Sequence, residues 1–236
     1  MTGRMIEFDA NGSTAPGYLA TPDAPGDAGA PGVVVLHEWW GLTETIRQAC
    51  DRLAQAGFVT LAPDLYHGKT TAKVEEAEAW GAALDQQVER WRGDIRGAVQ
   101  FLRQHGATGP ADGRGAFAFV AFSLGGAYAL DMSVNLADEI AAVVTFYAVW
   151  AEPDFRRAKA AYLGHFAEDD PYAPADSIAE MEQVLQTAGR PATFYTYSGT
   201  THWFFDADRP DAYDAAAATL AWERTLAFLD AELRRS

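Results

Sequence analysis

The segment AFAFVAFSLGG, from Ala116 to Gly126, decides the fold of this chain. The apolar run Ala116–Phe122 is short and does not alternate with polar residues, which reads as a strand buried on both faces. Ser123 follows at once, then a helix opens at Leu124 with Gly125 and Gly126 in its first turn. A strand running through a serine into a helix has the form of a nucleophile elbow, where a strained turn presents a hydroxyl at the edge of a sheet. Strand and helix approach closely there only if the residues two before and two after the serine are small. Ala121 and Gly125 meet that need, Ala121 standing where glycine is usual. Taken alone, the string also suits a serine capping an ordinary helix, so the surrounding chain has to decide.

Working outward, strands and helices alternate on both sides. Upstream, Met5–Phe8 and Ala15–Ala20 flank Asn11-Gly12 and read as a hairpin. The Pro/Gly-rich stretch Thr21–Gly32 reads as a surface loop, not a domain linker. Val33–Leu36 and Phe58–Leu61 are buried strands, with Leu42, Ile46, Ala49, Cys50 and Leu53 at helical spacing between them. Val88, Trp91, Ile95, Ala98 and Leu102 mark one face of a long helix ending at Gly106. Downstream, Ala141–Phe146, Ala161–Phe166 and Ala192–Tyr197 are strands, Ile178–Leu185 is helical, and Trp222, Leu226, Leu229 and Leu233 define a closing helix. The pattern predicts an α/β fold with a mainly parallel central sheet flanked by helices on both faces, as a single domain over residues 1–236. Ligands of such sheets bind beyond the carboxyl ends of the strands.

Hydrophobic residues make up 49% of the 236, enough for a substantial core. The formal net charge of −15 repels phosphate backbones and anionic lipid, so neither nucleic acid nor a membrane is expected as a partner. Cys50 is the one cysteine, so no intrachain disulfide is possible, and its place mid-helix on the apolar face predicts core packing. Met1–Ala10 lacks an apolar signal core, and no stretch approaches the ~18 apolar residues of a membrane span. The expected location is therefore cytoplasmic.

A serine hydroxyl is a weak nucleophile until a base takes its proton. Behind an elbow the expected chain order is serine, then a carboxylate, then histidine. Here Glu168, Asp169 and Asp170 follow the strand Ala161–Phe166, and His202 follows the strand Ala192–Tyr197. His202 Nε2 would take the serine proton while one carboxylate holds Nδ1–H. Only one of the three acids can point at the imidazole; the others cap the helix starting near Pro174 or face solvent. The segment Leu36-His37-Glu38-Trp39-Trp40-Gly41-Leu42 follows the first sheet strand and reaches the same edge. An oxyanion hole would use the backbone N–H groups of Leu124 and Trp39. Glu38 stands out, because a carboxylate beside an oxyanion hole repels the transition state unless it is paired.

At these residues the chain resembles the dienelactone hydrolase family. The resemblance rests on Leu36–Leu42, Ala62–Gly68, Ala121–Gly126, Val143–Trp150, Gly164–Pro174 and the loop ending at His202, which occur in the family's order and span nearly the whole chain. It implies an α/β-hydrolase domain that uses no metal or organic cofactor and hydrolyses cyclic enol-lactones or related esters. The family's triad acid stands in a D-x-x-x-P pattern, which Asp170 to Pro174 fits, and this selects Asp170. The family also has a glutamate after the first sheet strand, in contact with the resting nucleophile, and Glu38 matches it.

Two departures matter. The best-known members carry cysteine at the elbow, where this chain has Ser123. Glu38 should therefore matter less for activation, and is expected to hydrogen-bond Ser123 or the oxyanion loop. Members acting on dienelactone hold its carboxylate with arginines, one of them four residues past the histidine, where this chain has Asp206. Arg209 lies further on, with a direction that sequence does not reveal. The expected substrate is thus a neutral, modestly hydrophobic ester or lactone. Trp39, Trp40, Tyr66, Tyr147, Trp150, Trp203 and Phe204 are candidates for an apolar cleft, with two or three of them touching ligand. Competing readings are acyl transfer or peptide cleavage on the same triad, and a non-enzymatic binding scaffold; the intact order of Ser123, Asp170 and His202 favours an enzyme. The expected assembly is a monomer or small homo-oligomer.

Overall fold

A computed structural model describes residues 3–23, 29–108 and 116–234. Strands β1 (Arg4–Ala10) and β2 (Ser13–Ala20) form the expected hairpin. Asn11 (φ 52°) and Gly12 (φ 73°) both take positive φ, which a two-residue turn of type I′ requires. Residues 24–28 of the expected Thr21–Gly32 loop lie outside the described residues. The chain continues through β3 (Ala30–Leu36), α1 (Glu44–Gln55), β4 (Val59–Pro63), α2 (Val74–Asp85), α3 (Val88–Gln104) and the two-residue β5 (Ala107–Thr108). It ends with β6 (Phe117–Phe122), α4 (Leu124–Asn135), β7 (Ile140–Phe146), β8 (Ala161–Asp169), α5 (Ala175–Thr187), β9 (Ala192–Thr201) and α6 (Ala215–Leu233).

The strands lie in the order β1-β2-β4-β3-β6-β7-β8-β9, with β5 against β3. The first two pairings are antiparallel and every later one is parallel. Alternation along each strand divides the core into two layers. Val34, Leu36, Phe117, Phe119 and Ala121 face one side, with residues of α2, α3, α4 and α5. Val33, Val35, Ala118, Val120 and Phe122 face the other, covered by α1 and α6. Both faces are buried, which explains why the central strands are apolar without interruption. Cys50 packs in the second layer with no exposed surface.

The register sets the functional edge. Leu36 pairs with Ala121, Phe122 with Phe146, and Phe146 with His165. Ser123 and Tyr147 therefore leave the sheet side by side, joined by a hydrogen bond from Ser123 N–H to Phe146 O at 3.0 Å. On the far side a bulge separates the pairs Ala167–Tyr197 and Asp169–Thr201. The extra residues fall on β9, around Gly199 (φ 74°). The bulge brings His202 level with Asp170, one residue past the end of each strand.

Candidate active site

Ser123 sits at φ 46°, ψ −118° between β6 and α4. A non-glycine residue there costs of order 1–3 kcal/mol and persists only if its surroundings enforce it. The enforcement is visible. A Cβ on Gly125 would lie 2.5 Å from His37 O, and one on Gly126 would overlap the Ala148 methyl. Tyr147 (φ 44°) and Trp203 (φ 67°) repeat the conformation just after β7 and next to His202. The turn is held by Gly126 N–H donating to Ser123 O at 2.8 Å.

Ser123 Oγ lies 3.0 Å from His202 Nε2, and His202 Nδ1 lies 2.8 and 2.7 Å from the two oxygens of Asp170. The carboxylate accepts, so Nδ1 carries the proton and the Nε2 lone pair faces the serine hydroxyl. Asp170 Oδ1 also accepts from the N–H groups of Tyr172 (2.9 Å) and Ala173 (3.1 Å), which locks the carboxylate plane. Asp170 and His202 are both buried. Of the neighbouring acids, Glu168 and Asp169 are exposed, and Glu168 accepts from Gly199 N–H at 2.8 Å across the bulge. Neither caps α5, whose N-cap residue is Pro174.

The loop after β3 brings Trp39 to the same edge. Among the described residues neither Trp39 N–H nor Leu124 N–H has a protein partner, as donors for an oxyanion require. His37 supports this loop, a role the sequence reading did not assign. Leu65 N–H can only donate, so His37 Nε2 accepts from it at 3.1 Å, and Nδ1–H donates to Glu38 O at 2.6 Å. Burial pushes His37 below the ordinary histidine range, which keeps this neutral tautomer.

Glu38 has no exposed surface. It does not bond Ser123: Oε2 accepts from Tyr147 Oη at 3.4 Å, and Oε1 meets no ordinary donor. The expected bond to the nucleophile or to the oxyanion loop is absent among the described residues; the carboxyl lies against Tyr147 and Asp206 instead. Burial, and next the Asp206 charge, raise Glu38 well above the usual carboxylate range. Arg209 also turns inward. Its guanidinium lies 3.2 Å from the Trp40 ring centroid, and its Nε is 3.7 Å from Asp206 Oδ2.

Of the candidate cleft aromatics, Trp40, Tyr66, Tyr147 and Phe204 are buried, leaving Trp39, Trp150 and Trp203 partly exposed. Trp39 stacks on Trp203 with centroids 5.8 Å apart. Tyr172, 51% exposed, packs on Trp39 at 5.6 Å and on His202 at 4.8 Å. With Tyr147 against the ring at 4.7 Å, it helps enclose the imidazole. Tyr172 is a site residue that the sequence reading does not single out; its place two residues past Asp170, inside Gly164–Pro174, is the available signal. Among the described residues no cluster of three or more His, Cys, Asp or Glu could hold a metal ion, and no helix is long and apolar enough to cross a membrane.

Residues 15–233 match the model of the dienelactone hydrolase family. The chain is 32% identical over 232 residues to "Protein usf" of Aquifex pyrophilus, covering 96% of this chain and 97% of that one. It is 29% identical over 237 residues to "Probable 2-oxo-3-(5-oxofuran-2-ylidene)propanoate lactonase" of Bradyrhizobium sp, covering 95% and 92%. The solved structure "m3DLH" superposes with a TM-score of 0.86 at 25% identity, covering 98% of both chains.

Proposed function

This chain belongs to the dienelactone hydrolase family and is an ester and lactone hydrolase, and from that premise we propose that it works through Ser123 as nucleophile, His202 as base and Asp170 as orienting acid. The observation that carries the reading is the unbroken hydrogen-bonded line from Ser123 Oγ through His202 to Asp170.

In this mechanism Ser123 Oγ attacks the substrate carbonyl carbon as its proton passes to His202 Nε2. The carbonyl electrons move onto oxygen, which accepts hydrogen bonds from the N–H groups of Trp39 and Leu124. Removing one such donor commonly costs about 10²–10³ in rate. As the intermediate collapses, the ester C–O bond breaks and the imidazolium returns its proton to the leaving oxygen. In a lactone that oxygen stays tethered to the acyl chain. Water then attacks the acyl-enzyme, gives its proton to His202, and releases the acid with Ser123 restored.

The substrate we assign is a neutral, modestly hydrophobic ester or lactone. The named substrate of the Bradyrhizobium relative carries a carboxylate. Here the position four past His202 is the acid Asp206, and Arg209 is engaged by Asp206 and Trp40. The accessible wall is the aromatic group of Trp39, Trp203 and Tyr172. The test is labelling with a small fluorophosphonate, read by intact mass and peptide mapping, with Ser123→Ala as control. A stoichiometric adduct on Ser123, lost in the control, is expected. No adduct, or one elsewhere, overturns the assignment of the nucleophile. Faster turnover of dienelactone than of simple neutral esters overturns the substrate class.

A further inference from the structure

Glu38 and Asp206 are two neighbouring buried carboxyl groups, 0% and 1% exposed. Written as two carboxylates, Glu38 Oε1 and Asp206 Oδ2 are buried acceptors with no donor. Such orphans are rare in folded proteins and costly. One proton between them satisfies both atoms and removes the repulsion of adjacent like charges.

The remaining contacts say which residue owns the proton. Asp206 Oδ1 accepts from Thr45 Oγ1 at 2.7 Å and from Asp208 N–H at 3.0 Å, and Arg209 Nε lies 3.7 Å from Oδ2. The hydroxyl, the N–H and the guanidinium all lie on the Asp206 side of the pair. Glu38 has only the long contact from Tyr147 Oη, at 3.4 Å. Glu38 is therefore the acid and Asp206 the acceptor. Arg209 supplies the balancing charge, so the three groups sum to neutral.

We propose that Asp206 is a positioning residue: it shares a single proton with Glu38 and so holds the Glu38 carboxyl neutral and turned away from Ser123. Glu38 directly precedes Trp39, whose N–H is assigned to the oxyanion, so an ionised Glu38 would place a second negative charge beside the one that develops in turnover. The titratable and charged groups facing Glu38 are Tyr147 from the end of β7, and Asp206 and Arg209 from the segment between β9 and α6; Asp170 acts on Tyr147. A surface depression of about 340 Å³, lined in part by Trp40, Thr43, Asp206 and Arg209, borders the Asp206 side of the pair. The effect on turnover rests on the Ser123 reading above; the shared proton does not.

The test therefore has an arm that needs no catalysis. Infrared spectra of Ser123→Ala protein at neutral pH are expected to show the carbonyl band of a protonated carboxylic acid, missing from Ser123→Ala/Glu38→Gln. Absence of the band, or its survival in the double variant, overturns the proposal. The second arm is the pH profile of kcat/KM on a neutral ester. Wild type is expected to lose activity on the alkaline side as the pair ionises. Glu38→Gln has no proton to lose, and its alkaline limb disappears. Asp206→Asn removes the repelling charge and supplies an amide donor, so the limb moves down by about one pH unit or more. Opposite responses of the two variants are not expected from general damage to packing. An alkaline limb unchanged in both overturns the proposal.

Discussion

Asp170 grips His202 Nδ1 with both carboxylate oxygens, at 2.7 and 2.8 Å, while backbone N–H groups hold the carboxylate from behind. The grip sets the imidazole tautomer as well as its orientation. In Asp170→Asn an amide N–H can face the ring, which reverses the tautomer and puts a proton on Nε2 toward Ser123. The expected loss in kcat is about 10³- to 10⁴-fold with the fold intact. Asp169→Asn, at an exposed position, is expected to stay near wild type. Steady-state kinetics on a small neutral ester, beside thermal melts, decide the matter. Equal losses in the two variants would contradict the assignment.

Gly126→Ala drives a methyl into that of Ala148. The expected cost is about 1–3 kcal/mol of stability, with a fall in activity as the elbow shifts. Ala148→Gly removes the colliding atom, so the Gly126→Ala/Ala148→Gly double variant should recover most of both. A double-mutant cycle by denaturant unfolding measures the coupling, and simple additivity would show that the two positions do not meet.

His37→Phe leaves Leu65 N–H without an acceptor and Glu38 O without its side-chain donor. Glu38 O keeps the Gly41 N–H at 3.2 Å, so the one buried orphan is Leu65 N–H, at a cost of about 1–3 kcal/mol. The loop carrying Trp39 loses its anchor, so kcat should fall more than KM rises. Hydrogen exchange at Leu65, speeding up in the variant, would report the lost bond directly. Unchanged exchange there would refute it.

His165 lies in a chain of buried bonds whose directions are determined. Thr225 Oγ1 donates to Ala221 O, so it accepts from His165 Nε2–H; Nδ1 then accepts from Tyr197 Oη–H, and that oxygen accepts from Arg224 Nη1. Burial, with the nearby Arg224 charge, pushes His165 down to about 3. The unfolded chain takes up a proton near the ordinary histidine value of about 6.5, and the folded chain does not. The stabilising contribution is therefore present above that value and is lost as pH falls toward 3, at about 1.4 kcal/mol per pH unit. The expected result is that the stability advantage of wild type over His165→Phe shrinks with this slope between pH 6 and 4 in urea titrations. Parallel stability curves would refute it.

The strand and helix pattern was legible because burial on both faces writes itself into local runs. The exception is α2, Val74–Asp85, absent from the sequence reading. Its buried residues Ala77, Gly81 and Leu84 have helical spacing, but alanine and glycine give that stripe little apolar contrast. The strand β9 was read as ending at Tyr197 and runs to Thr201, because a bulge interrupts the alternation that marks a strand.

By itself the sequence determined the layered α/β architecture and the order of serine, acid and histidine, each directly after a strand, β6, β8 and β9. Both are local: a residue's type and its place after an apolar run do not depend on distant contacts. Tertiary structure alone showed Asp170 in contact with His202 and the other two acids at the surface, where sequence offered three neighbours and a family pattern. It also decided that Glu38 turns to Asp206 and that Arg209 lies on Trp40. These outcomes depend on strand register, on a bulge in β9 and on side-chain directions across more than a hundred residues of chain. Spacing along the chain does not encode them, because the contacts are between segments that only the folded sheet brings together.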